Sequence, residues 1–148
     1  MIADSSGVEA ALVALLAGDP ALTALVPDGV YVDVAPANAQ RFIIVSRLSP
    51  ASQSTGFGDI ATFTHGRTAE DYYFLVKAVM LSTAGGDIRA AAFRIDELLE
   101  DRPLAPEGFI WSTTYRDEHI RVTEPDSLDP SIRWLHRGGR YRVQLAVA

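Results

Sequence analysis

The stretch DYYFLVKAVML, residues 71–81, leaves few architectures open to this chain. Successive side chains of an extended strand point to opposite faces. Tyr72, Phe74, Val76, Ala78 and Met80 then share one face, and Tyr73, Leu75, Val79 and Leu81 the other, with Lys77 among them. A strand apolar on both faces belongs inside a sheet covered on both sides. Helix is the expected cover on one side. More helix, or another subunit, is expected on the other.

The residues that follow supply such a helix. After STAGG (82–86) the pattern turns helical over 87–100, with Asp87 as N-cap. Ile88, Ala91, Ala92, Ile95, Leu98 and Leu99 form one apolar stripe. Phe93 falls off that stripe, either a single exposed aromatic or a contact with a neighbouring chain. Asp96, Glu97 and Glu100 read as a solvated face. Strand, glycine turn and helix is also the layout of a phosphate-binding loop. The defining parts of one are absent: STAGGDIR lacks the glycine spacing and the lysine. Asp87 would also set a carboxylate where a phosphate should sit. The segment reads as a tight strand-to-helix connection.

The remaining elements fall on either side of this unit. Ser6 and Glu9 have capping-box spacing ahead of a helix through Val8, Ala11, Leu12 and Leu15, which Gly18 ends. Asp19-Pro20 opens a second short turn, ended by Pro27. Strands are predicted at 30–34 and 42–48. Beyond Pro103 the chain reads as FIWSTTYR (109–116), a turn at Asp117-Glu118, HIRVTE (119–124), a polar loop, and a closing strand interrupted at Gly138-Gly139 by a bulge or turn. Tyr141, Val143, Leu145 and Val147 alternate with polar or small residues, as in a half-buried strand. The pattern is an α+β fold: a mainly antiparallel sheet flanked by two principal helices, in one domain spanning 1–148. Residues 49–69, SPASQSTGFGDIATFTHGRTA, are rich in Ser, Thr and Gly. They predict a long mobile loop, or weak strand arms such as 60–64 around a flexible tip.

Composition narrows the chemistry. The chain has no cysteine, which removes disulfides, thiolate metal sites and cysteine nucleophiles. Its net charge of −6 argues against general nucleic-acid binding. No apolar run is long enough to span a bilayer, and the opening MIADSSGVEA lacks the pattern of a secretion signal, so cytoplasmic synthesis is expected. His65, His119 and His136 have no second ligand at metal-binding spacing. No nucleophile elbow is present. No catalytic, cofactor or metal residues are assigned. Arg133, Arg137, Arg140 and Arg142 make the last segment locally basic. They suit ion pairing with the acidic helix face, Asp126 or Asp129, or docking of an acidic partner.

At the level of whole segments the chain resembles the tail terminator, or tail completion, proteins of long-tailed bacteriophages and prophages. The resemblance runs through VEAALVALLAGDPALTALVPDGVY, RFIIVSRL, VKAVMLSTAGGDIRAAAFRIDELLEDRPL and RWLHRGGRYRVQLAV. Arg41-Phe42 stands where the family often has Pro-Tyr, and Leu81 where it often has Trp. The resemblance implies a non-enzymatic virion protein, assembled in the host cytoplasm, that caps the finished tail tube as a six-subunit ring. The ring stops tube growth and presents the head-joining surface at the head-proximal end of the tail. The implied partners are further copies of the chain, the tail tube protein and the head–tail connector, with genomic DNA passing through the lumen, and no membrane or cofactor. Phe57, Phe63, Arg89, Phe93, Arg137 and Arg140 are the interface candidates, the first two as apolar anchors of the 49–69 loop. Two alternatives remain: another head–tail neck protein, and a small α+β ligand-binding domain or enzyme. A deep pocket of convergent polar groups beside His119 or His136 would mark the second.

Overall fold

A computed structural model describes residues 5–48, 53–54, 69–100, 102–104 and 109–147. Among the described residues three helices lie against one sheet. The helices are α1 (Ser5–Ala17), α2 (Pro20–Leu25) and α3 (Ile88–Leu99). The strands are β1 (Val30–Val32), β2 (Arg41–Arg47), β3 (Gln53–Ser54), β4 (Ala69–Leu81), β5 (Phe109–Pro125) and β6 (Arg133–Val147). The sheet order is β1-β2-β4-β6-β5, with β3 also paired to β4. Every pairing is antiparallel except β1 with β2, so the sheet is mixed but mainly antiparallel, and the fold is α+β as expected.

β4 is central, flanked by β2 and β6. Its Tyr72, Phe74, Val76, Ala78 and Met80 face the helices and are buried. They join Leu12, Leu16, Leu22, Ile95, Leu99, Tyr141 and Val143 in the main core. Burying one such large aliphatic side chain stabilises by about 1.5–3 kcal/mol, so this layer dominates folding. The second face of β4 has two expected covers, more helix or another subunit. Among the described residues no helix covers it; Phe42, Ile44 and Val79 are buried there beneath Ala35 and Ala39. Edge-to-face contacts of Phe42 with Tyr31 and Trp134, at 6.5 and 6.0 Å between ring centres, hold this smaller cluster.

The Asp87 cap acts where it was read; Ser6, read as a cap ahead of the first helix, lies inside α1, and Asp19, read as opening a turn, proves to be a cap. Asp19 caps α2 by accepting from Leu22 N at 2.9 Å. Asp87 caps α3 by accepting from Ala90 N at 3.0 Å. Gly85 takes φ +73° in the strand-to-helix connection, a conformation that favours glycine. Two expectations are corrected. Asp117-Glu118 is no turn: β5 runs on through it, with a register shift between Arg116 and Glu118 that leaves Asp117 as an extra residue. Gly138-Gly139 carries no bulge or turn, because both sit in continuous register with β4 and β5. A Cβ on Gly138 would come within 2.1 Å of Val76 O, so close backbone approach is what demands glycine. Within 49–69, residues 53–54 and 69 are strand; the others lie outside the described residues, among them Phe57, Phe63 and the 60–64 arm.

Candidate functional site

Two basic regions emerge from the last strand, one on each face of the sheet. On the open face, Arg142 and Arg140 flank the Tyr73 ring, with guanidinium carbons 5.7 and 5.5 Å from its centre. Arg142 forks onto buried Asp71, at 3.2 and 2.7 Å. Arg140 forks onto Asp117, at 2.9 and 3.2 Å, and reaches Glu118 at 3.6 Å. The bulge at Asp117 therefore aims a carboxylate at Arg140. These carboxylates raise both guanidinium pKa values, so the ion pairs stay charged. Arg140, an interface candidate from sequence, is ion-paired here within the subunit.

On the helix face, α3 is anchored by charge. Arg94 forks onto Asp19 at 2.8 and 2.6 Å, tying α3 to the cap of α2. The Arg94 hydrogen bond leads in holding the Asp19 carboxyl down from the usual 3.8 to about 2. Asp96 accepts from both Arg116 and the Tyr141 hydroxyl, so it is part of the helix–sheet joint and not of a solvated face. Burial, then the Asp96 bond, pushes the Tyr141 hydroxyl pKa well up and keeps it a donor.

Past this anchor, α3 and the β5–β6 ribbon leave a groove of about 370 Å³. Arg89, Phe93 and Arg137, three of the candidates, line it together with His119 and Arg121. Phe93 is 65% exposed. Arg121 stands directly opposite Arg137 in the strand register. Arg89, Arg121 and Arg137 have no ion-pair partner among the described residues, and the carboxylate of Asp96 beside them is already engaged. Sequence reading missed Arg121. The signal was the hairpin register: pairing 119–125 back across the 126–132 turn sets it against Arg137.

A second cleft, about 400 Å³, opens on the other face between the segment after β1 and the sheet. His136 and Lys77 line it among mostly apolar residues. Both His136 ring nitrogens are buried and lack a hydrogen-bond partner among the described residues; Glu124 is 3.7 Å away. Burial first, then Lys77, lowers its pKa against the pull of Glu124, so the ring is neutral near pH 7. In the second cleft no hydroxyl among the described residues is hydrogen-bonded to the His136 ring. Among the described residues no group of three His, Cys, Asp or Glu could hold a metal. What the helix-face groove can do is bind: it offers three cations and an apolar ring to an acidic, partly apolar surface.

No protein-family model matches the chain, and no match is found among curated proteins. A solved structure does match. A chain from the virion of a native gene transfer agent (GTA) particle superposes with a TM-score of 0.60 at 18% sequence identity, over 99% of this chain and 99% of that one. The two share a fold across their whole lengths.

Proposed function

We propose that this chain is a structural protein of a tailed phage or phage-like virion, and within that class a tail terminator. It caps the completed tail tube as a ring, stops polymerisation and forms the surface that the head connector joins. The carrying observation is the end-to-end fold likeness to a chain of a gene transfer agent virion. The order of segments in the sequence supports the narrower role. The work is stoichiometric binding without turnover or cofactor, and the exposed Arg89–Phe93–Arg137 groove offers a surface for it. Its partners are other copies of itself, the tube protein and the connector. The acidic charge of −6 suits a ring through which DNA slides without sticking.

Deleting the gene and imaging the particles tests this directly. Overlong tubes are expected. Tails of normal length without heads would move the protein to the head-joining side of the neck. Unaltered particles would remove it from the virion altogether.

A further inference from the structure

The helix-face groove has a complement on the same chain. The β5–β6 turn carries Asp126, Leu128 and Asp129, and Leu128 at its tip is 93% exposed, the most exposed large apolar side chain among the described residues. The turn is preorganised. Asp126 accepts from Leu128 N at 3.1 Å, from Asp129 N at 3.0 Å and from Trp134 Nε1 at 2.8 Å. Asp129 accepts from the Ser131 hydroxyl at 2.6 Å. Each carboxylate keeps free lone pairs and its negative charge. The Trp134 bond, then the two backbone bonds, lowers the Asp126 pKa, so that charge persists into acid. Glu124, 60% exposed, adds a third negative charge at the turn.

The groove carries the matching defect. Like charges set directly opposite each other on paired strands destabilise a sheet, and Arg121 faces Arg137. Arg89 adds a third cation from α3. None of the three has an ion-pair partner among the described residues, and Asp96, the carboxylate lining the groove, is held by Arg116 and Tyr141, while Arg94, Arg140 and Arg142 are also paired. Phe93 supplies an apolar wall that a phosphate backbone would not use but a leucine side chain would.

We propose that the acidic β5–β6 turn of one copy, led by Leu128, docks in the Arg89–Arg121–Arg137 groove of the next copy. The inference rests on the ring reading and names its contact. The turn cannot reach its own groove: from Arg121 to Asp126 the strand extends roughly 17 Å away. Turn and groove are different patches, so the contact is head-to-tail and builds a closed ring or an open filament. A single contact is small. Closure makes the last one intramolecular and multiplies its effect.

The absence of cysteine in the sequence makes the test clean. The full-length Phe93→Cys/Leu128→Cys variant is oxidised and run without reductant, beside each single variant. The double variant is expected to give a ladder ending at a fixed top rung, while the single variants stop at dimers. Adding Arg121→Glu and Arg137→Glu should cut the ladder at least tenfold with an unchanged circular dichroism spectrum. A double variant that links no better than the singles overturns the contact; if native mass still finds a ring of the parent chain, the ring reading survives without it. An endless ladder keeps the contact and sinks the cap. Binding of a labelled DNA duplex that the two Arg→Glu changes abolish would make the groove a nucleic-acid site and overturn the proposal.

Discussion

The open face and the helix-face groove hold the same residue type in opposite circumstances. Arg140 and Arg142 are forked onto carboxylates and packed on Tyr73, so their charge is spent inside the molecule. Arg89, Arg121 and Arg137 have no such partner among the described residues, and two of them face each other across paired strands. The contrast teaches that clustered arginine is not itself a signal. What marks a surface is arginine whose countercharge is missing from the subunit.

The comparison breaks first at Arg142. Its carboxylate partner, Asp71, is buried, and removing one member of such a pair strands the other charge in a poorly solvated position. Arg142→Ala should destabilise by about 3 kcal/mol in urea unfolding. A loss no larger than that of an ordinary surface change would erase the distinction between the two basic regions.

Asp19 comes next, because it acts as cap and countercharge together. Asp19→Ala should lose about 1–2 kcal/mol from the cap, with further loss from Arg94. The pH profile separates the two roles. The folded carboxyl is depressed from 3.8 to about 2, so its charge-dependent stabilisation is complete above roughly pH 4–5 and is lost as acid drives the pH down through 2. Asp19→Asn keeps a capping side chain and should flatten that acid slope. An unchanged slope would mean that Arg94 contributes nothing to holding α3.

How far the sequence went depends on the range of the force involved. β4, α3 and the cap Asp87 were legible because apolar period and capping act within a few residues. Asp117-Glu118 looked like a turn because its polarity is a turn's; only pairing with β6 shows that the bulge serves Arg140. Gly138 looked like a break because its reason, the carbonyl of Val76, lies on another strand. The second face of β4 looked coverable by helix or by another subunit; among the described residues an aromatic cluster and the arginine-flanked Tyr73 ring lie on it. Of the interface candidates, Arg89, Phe93 and Arg137 line one groove, Arg140 lies on the other face, and Phe57 and Phe63 lie outside the described residues.

The smallest effect is also the one whose sign decides most. Arg121 is exposed on an edge strand, with Arg137 as its cross-strand neighbour. An ordinary surface arginine contributes within about 0.5 kcal/mol either way. If the groove is a site of unrelieved repulsion, Arg121→Thr should stabilise the isolated subunit by up to about 0.5 kcal/mol, since a strand-forming residue replaces one of two facing cations. Arg121→Glu should stabilise more, by converting repulsion into a pair. Both gains should shrink as salt rises towards 1 M, where the screening length falls to about 3 Å. The same substitutions must weaken self-association, so stability and assembly move in opposite directions. Should Arg121→Glu destabilise the subunit at low salt, the groove's charges would already be satisfied within the fold, and it would have no reason to seek a carboxylate elsewhere.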